Sequence, residues 1–402
     1  MNVRKNISFM FPVTSGLMGG VQSLIISYIN ELSKNELINV RLYDYTNGLI
    51  YEKLDDSVKE NIQFIPLDSN DWSINNLGNE VFVLTDFLWQ KYPFFFKNRN
   101  DVKILMLDVF YPNWKTFNKG GRIPLYKLRE KSIEILTKNK AVAFIEEEGH
   151  KAFTSIGGTI DKLPSIVPIP FDFSSNQKKT NVKQKNEIIT IGYVGRAVDW
   201  KIEPVKKLMD DLGRIQGKSF NIVIYTDDVT LFNNKIKRYD NQKVEFISGL
   251  AGVELKDSIM EKIDIGYSMG TSSLEFASIS IPTILADFSN NEFPSNYKYR
   301  WLFQANLGNV GKDVNDIDPL EERCELHAML QSDFSSIGNK CYTYAYNTHN
   351  IDGVILKLLF CCDNTTLTLK KSRHLVIYQQ LMLYIVKRFI RRNEKFYGWG
   401  IK

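Results

Sequence analysis

Two cations stand close together where a strand gives way to a helix. In Ile188–Lys201, IITIGYVGRAVDWK, the apolar run Ile188–Val194 has the length and β-branched content of a buried parallel strand. The chain then turns at Gly195, presents Arg196, and reaches Lys201 just before a helical pattern in which Val205, Leu208, Met209 and Leu212 recur. The C-terminal end of a strand, followed by a helix N-terminus, is where open α/β sheets bind ligands, and backbone N–H groups there favour anions. Two added cations point to a phosphate or diphosphate. The same residues also read as an exposed strand–helix loop with solvated charges, and their spacing leaves both readings open.

Other strand ends carry residues of chemical interest. Gly19-Gly20, with Gly16 just before, lies between the first strand and its helix, where missing Cβ atoms let N–H groups approach a ligand; the plainer reading is a flexible turn. There is no GxGxxG fingerprint, so no hydride-transfer cofactor is expected. Met269-Gly270-Thr271-Ser272 offers N–H and hydroxyl donors ahead of Glu275, itself either a ligand-binding carboxylate or a first-turn acid offsetting the helix dipole. Asp86 and Asp108 end strands of the first half. Asp108 precedes the aromatic loop Phe110-Tyr111-Pro112-Asn113-Trp114 and reads as a sugar contact or as a turn residue. Asp227-Asp228 is expected to close a strand and Asp316-Ile-Asp318-Pro319 to open a helix, so no metal requirement is predicted.

These residues need two sheets to hold them. A chain of 402 residues suits two domains, and 44% hydrophobic with 24% charged residues describes an ordinary globular protein. Strands are predicted at Ile7–Phe11, Val40–Tyr45, Ile62–Leu67, Val81–Phe87, Lys103–Phe110, Ala141–Ile145 and Ser165–Pro170, with helices at Val21–Leu32 and Leu125–Leu136. After a polar linker, 176–187, the alternation restarts. Strands are expected at Ile188–Val194, Phe220–Thr226, Val244–Ile247, Ile263–Tyr267 and Thr283–Ala286, and helices at Glu203–Leu212 and Ser272–Ile279. The expected domains are 1–175 and 188–349, with a C-terminal helical segment at 350–402. Alternation of this kind argues α/β halves with parallel sheets covered on both faces.

On these motifs the chain resembles the group-1 (family 4) nucleotide-sugar-dependent glycosyltransferases of the GT-B fold, over most of Met1–His349. The resemblance implies two Rossmann-like domains facing a cleft. It implies that Arg196 and Lys201, after Gly195, hold the diphosphate of the donor, and that Gly19-Gly20 lines the donor and acceptor cleft. Glu275 matches the second carboxylate of the family's E-x7-E signature, which hydrogen-bonds the ribose. The first carboxylate falls at Tyr267, and the family's Gly before the Pro is Ser280 here, so the pattern is broken twice. The loop Gly270, Thr271, Ser272 is expected to reach phosphate or sugar. Many family members place a His near Asp108, whereas His150, His327, His349 and His374 do not clearly match it. The family's retaining members work through leaving-group stabilisation, and Arg196 and Lys201 would supply it.

The resemblance therefore implies transfer of a sugar from a nucleotide-diphosphate donor to a glycan or lipid-linked acceptor, as in cell-surface polysaccharide synthesis. The rival readings are a non-catalytic nucleotide-sugar-binding partner and a GT-B epimerase; a glycogen-type phosphorylase is disfavoured by length and by the lack of an evident pyridoxal lysine. Four cysteines without CxxC spacing argue neither metal site nor disulfide framework, which fits a cytoplasmic setting. The N-terminal apolar run ends at Pro12 and reads as a strand, not a signal peptide. Net charge is +5, yet Leu369–Lys402 holds nine basic residues against Glu394 alone. No nucleic-acid partner is expected. The apolar stretch Leu375–Ile390 ends in Lys387-Arg388 and Arg391-Arg392, so 375–402 reads either as a docking helix or as a contact with an anionic membrane surface.

Overall fold

A computed structural model of the chain describes residues 4–11, 19–67, 80–85, 102–109, 123–174, 188–289 and 291–372. Gly16, Asp86, the aromatic loop after Asp108, the linker 176–187, His374 and the basic tail 375–402 lie outside the described residues. Two compact units divide the chain: Met1–Pro168 with Val354–Lys402, and Ile169–Gly353.

The first unit holds a six-stranded parallel sheet in the order β3-β2-β1-β4-β5-β6. Its strands are β1 Lys5–Met10, β2 Ile38–Asp44, β3 Gln63–Pro66, β4 Glu80–Thr85, β5 Lys103–Asp108 and β6 Val142–Phe144. β1, β4 and β5 are buried along nearly their whole length, on both faces, hence their continuous apolar character. Helix Gly20–Leu32 buries Leu24, Ile25, Tyr28, Ile29 and Leu32, an i, i+4 stripe on one face. Over the described residues from Val354 to Ser372 the chain belongs to this unit. Thr365 Oγ1 donates to the Ile104 carbonyl at 2.7 Å, Ile104 N–H to the Leu367 carbonyl at 2.7 Å, and Leu367 and Leu369 join the core.

The second unit holds a five-stranded parallel sheet, β11-β10-β7-β8-β9. Its strands are β7 Ile189–Val194, β8 Phe220–Tyr225, β9 Gln242–Ile247, β10 Ile265–Ser268 and β11 Thr283–Leu285. From β7 the chain moves outward to β8 and β9, then crosses back to β10 and β11 on the other side. The topological switch point therefore lies between β7 and β10, which pair through Ile191↔Ile265 and Gly192↔Gly266. In the first sheet the equivalent point lies between β1 and β4, and Gly19-Gly20 follows β1.

Two expected elements differ. Ser165–Pro170 is not a strand: a short helix, Lys162–Ser165, is followed by a single bridge between Phe144 and Ile166. Pro168 and Pro170 have no N–H to donate to a ladder, so pairing stops after the Val167 N–H bond to the Phe144 carbonyl at 2.7 Å. Asp316-Ile-Asp318-Pro319 opens no helix. Asp316 ends a 3-10 turn, Val314–Asp316, capped by Asp313, and Asp318 accepts from Leu320 N–H at 2.9 Å in a turn.

Candidate functional site

The helix after β7 begins at Asp199, so Lys201 lies in its first turn and not ahead of it. The turn between them is tightly built. Gly195 N–H donates to the Tyr225 carbonyl at 3.0 Å, and Ala197 N–H to Asp227 Oδ1 at 2.7 Å. A Cβ at Gly195 would stand 2.5 Å from the Tyr193 hydroxyl, so the position admits glycine. That hydroxyl in turn donates to the Lys201 carbonyl at 3.0 Å. Asp227, at the end of the neighbouring strand, thus shapes the loop that carries Arg196.

Lys201 is drawn out of water beside a like charge. Its ammonium sits 5.2 Å from the centre of the Trp200 ring, which meets Phe288 edge-on at 5.6 Å. Burial, and after it the Arg196 charge, hold its pKa down to about 8 against the opposing pull of Asp227. The first turn of a helix also carries partial positive charge. Desolvation, a like charge and a helix dipole therefore all disfavour the ammonium, and an anion bound between Arg196 and Lys201 would relieve all three.

The loop after β10 adjoins this one at the switch point. Ser268 Oγ donates to the Val194 carbonyl at 2.7 Å, tying the ends of β10 and β7 together. Gly270 adopts φ +66°, a conformation costly for any residue with a Cβ, and its N–H donates to the Val310 carbonyl at 2.7 Å. Helix Thr271–Ser278 starts there. Its first-turn N–H groups, at Thr271 and Ser272, have no intrahelical acceptor, and Thr271 is exposed.

Glu275 lies one turn further along this helix with its side chain 27% exposed. Burial raises its pKa, and Lys256, at 3.8 Å, lowers it. Its Oε2 is shielded from solvent and accepts no hydrogen bond. A buried carboxylate oxygen without a donor is uncommon and suits a hydroxyl-bearing ligand. Tyr267, at the position of the missing carboxylate, is fully buried and donates to the Pro204 carbonyl at 3.2 Å. It belongs to the core and offers nothing to a ligand. Ser280 adopts φ +61°, a conformation that favours glycine.

The structure thus brings Gly195, Arg196, Lys201, Gly270, Thr271, Ser272 and Glu275 onto two adjacent βα connections of one sheet. The remaining candidates belong to the first unit. Gly19 caps helix Gly20–Leu32 at φ −107°, and Gln22 Oε1, which accepts from its N–H at 3.1 Å, stands 2.6 Å from where a Cβ would lie. Among the described residues nothing lies within 4 Å of a Cβ at Gly20. Asp108 is buried at the end of β5, its carboxylate against Gly149 in the first turn of helix Glu147–Ser155. Asp228 caps helix Val229–Lys235 through Leu231 N–H at 2.8 Å. Among the described residues no group of three or more His, Cys, Asp or Glu side chains could hold a metal ion.

Sequence reasoning passed over Asp227, Lys256 and Ser268 as parts of this site. Asp227 carried a usable signal, its position at the end of the strand expected next after β7 in sequence. Lys256 carried none.

No family model matches the chain, and no curated protein matches it. Among solved structures it is similar to a glycosyltransferase from Rickettsia africae ESF-5 (TM-score 0.55, 14% identity, 90% of this chain and 98% of that one). It is also similar to TarM (TM-score 0.52, 10% identity, 89% and 99%). A third is the N-terminal domain of a trehalose-6-phosphate phosphatase from Candida albicans (TM-score 0.51, 12% identity, 89% and 96%). At such identities the likeness is one of fold, and the differing names of the three are a reminder that fold alone does not fix activity. The chain has the GT-B architecture, two parallel-sheet α/β domains.

Proposed function

We propose that this protein is a glycosyltransferase of the group-1, family 4 type. In this reading it transfers a hexosyl group from a nucleotide-diphosphate sugar to a glycan or lipid-linked glycan, with retention of configuration, in cell-surface polysaccharide assembly. One observation carries the proposal: Arg196 and a desolvated Lys201 in the first turn of a helix at a topological switch point, a place built to receive a diphosphate.

As the bond from the anomeric carbon to the diphosphate oxygen breaks, negative charge collects on the leaving group. Arg196 and Lys201 are then worth more than in the ground state, and that difference accelerates the step. Glu275 accepts from the ribose hydroxyls, and the Gly270–Ser272 turn donates to phosphate or sugar. Gly20 supports the reading because the space where a Cβ would stand is open among the described residues, and Gly19 beside it is assigned to the same ligand contact. Asp108 is assigned to the acceptor side. The charge of the diphosphate is met by protein cations in this account, so binding of a nucleoside diphosphate should survive a chelator.

Tyr267 favours one second reading, a nucleotide-sugar-binding partner without turnover, since a carboxylate of the resembling pattern is replaced by a core residue. A thermal-shift panel of nucleoside diphosphates and nucleotide sugars tests the shared premise. Release of free nucleoside diphosphate in the presence of acceptor then separates enzyme from binder. The basic tail completes the proposal as a contact with anionic lipid on the cytoplasmic face. Among the described residues no helix is long and apolar enough to cross a membrane. Each basic residue near such a surface contributes about 1 kcal/mol. Changing Lys387, Arg388, Arg391 and Arg392 to Gln should abolish sedimentation with anionic vesicles at physiological salt while leaving thermal stability unchanged. A full-length protein that ignores such vesicles at low salt would end the membrane part.

A further inference from the structure

Three segments far apart in sequence meet beside Glu275. Helix Gly252–Lys262 brings Lys256 to 3.8 Å from Glu275 Oε2, a charge contact longer than a hydrogen bond. The same ammonium stands 5.5 Å from the centre of the Phe171 ring. Phe171 is fixed in turn, its N–H donating to the His349 carbonyl at 2.7 Å and its carbonyl accepting from Ile351 N–H at 3.0 Å. Lys256 is therefore located on one side by an anchored aromatic face and on the other by a carboxylate oxygen that accepts no hydrogen bond.

We propose that Lys256 is a positioning residue for nucleotide recognition: seated on Phe171, it holds the Glu275 carboxylate turned toward the ligand hydroxyls without touching the ligand. The inference rests on the reading of Glu275 as the ribose acceptor. Glu275 is otherwise in a setting that favours its neutral form, since burial works against its charge. The surrounding elements offer no substitute for Lys256. The strands Ile265–Ser268 and Thr283–Leu285 carry no charged residue, and Glu275 is the one charged residue of its own helix. Helix Phe334–His349 holds Lys340 and His349; the first lies over Phe303 and the second bonds the Ile169 carbonyl. On the helix of Lys256, Glu254, Asp257 and Glu261 are exposed and Lys262 pairs with Glu245.

A protonated carboxyl is a poorer acceptor for two ribose hydroxyls than a carboxylate. Removing the cation lets Glu275 take up a proton more readily, so the defect should be deepest in acid and fade as pH rises. The probes are uridine, adenosine and guanosine with their diphosphates, titrated between pH 5.5 and 8 into the full-length protein, Lys256→Met and Lys256→Arg. The best-binding base should lose about two- to fivefold in Lys256→Met at the acid end, equally for nucleoside and diphosphate. The loss should disappear toward pH 8, and Lys256→Arg should behave as wild type. A loss constant with pH, or confined to diphosphates, would make Lys256 a direct ligand contact and overturn the proposal. A lowered melting temperature with unchanged affinity would make it structural and overturn it equally. If Glu275→Gln leaves nucleoside binding intact, the parent reading of Glu275 has failed; if that variant is impaired while Lys256→Met is flat with pH, this inference alone has failed.

Discussion

Glu80 in the first unit and Lys201 in the second are both ionisable groups drawn out of water, but they are kept in different ways. Glu80 is answered from several sides. Arg41 Nη1 stands 3.1 Å away, Ser8 Oγ donates to it, Tyr43 hydroxyl approaches at 3.4 Å, and Arg41 Nε bonds Gln63 at 2.8 Å. Lys201 has a like charge near it and a helix dipole against it, with the Trp200 ring and the Asp227 charge as counterweights. The same contrast separates Glu80 from Glu275, whose Oε2 has no donor. Charges whose partners come with the fold hold it together. Charges left incompletely answered at a switch point are poised for a ligand, and this difference, more than sequence spacing, locates the site.

The comparison makes Glu80→Ala the most damaging change in stability. It strands the Arg41 guanidinium in the interior, and loss of a buried partner should cost about 3–5 kcal/mol in denaturant unfolding. Nucleotide affinity of the surviving folded protein should not change. A loss below about 1 kcal/mol would mean that water reaches Arg41.

A smaller effect of the opposite kind is expected at Glu275. Glu275→Gln should weaken the parent nucleoside by about 1.5–3 kcal/mol, the range for hydrogen bonds to a charged group, with the melting temperature unchanged or raised. The sign of the second part follows from linkage. The folded state raises the pKa of this carboxyl, so its ionised form is disfavoured by folding and its removal at neutral pH does not destabilise. A variant that melts lower and binds normally would make Glu275 a helix-stabilising acid.

The smallest effect is at Ser280. Its φ of +61° and a buried hydroxyl without a hydrogen-bond partner both favour glycine. Ser280→Gly should therefore stabilise by about 0.5–1 kcal/mol in thermal unfolding and leave ligand affinity alone. Destabilisation would show that the entropy of a new glycine outweighs the relieved strain.

Much of the fold was legible because buried parallel strands are continuous apolar runs. Ile7–Met10 and Ile189–Val194 announce themselves for that reason, and the polar residues at 176–187 interrupt the pattern. The loops bearing Arg196 and Gly270 followed directly from strand ends. Less visible was anything that depends on the third dimension. Helix Gly252–Lys262 buries Ile259 alone and has little apolar stripe to read. The meeting of Phe171, Lys256 and Glu275 joins residues about 20 to 100 positions apart, which no local pattern records. The start of the Asp199–Gly213 helix was read too late because Trp200 and Lys201 do not look like a first turn. That misfit was itself the strongest sign of the site.

The central claim is tested most directly by calorimetric titration of a nucleoside diphosphate and its parent nucleoside into wild type, Arg196→Ala and Lys201→Met between pH 6.5 and 9.5. Each substitution should weaken the diphosphate by about 1.5–3 kcal/mol, roughly ten- to a hundredfold, and leave the nucleoside nearly untouched. Wild-type affinity for the diphosphate should hold steady up to about pH 8 and fall above it, because only protonated Lys201 attracts the anion. In Lys201→Met that fall should vanish. Equal losses for nucleoside and diphosphate, or a wild-type affinity that does not change between pH 8 and 9.5, would contradict the account.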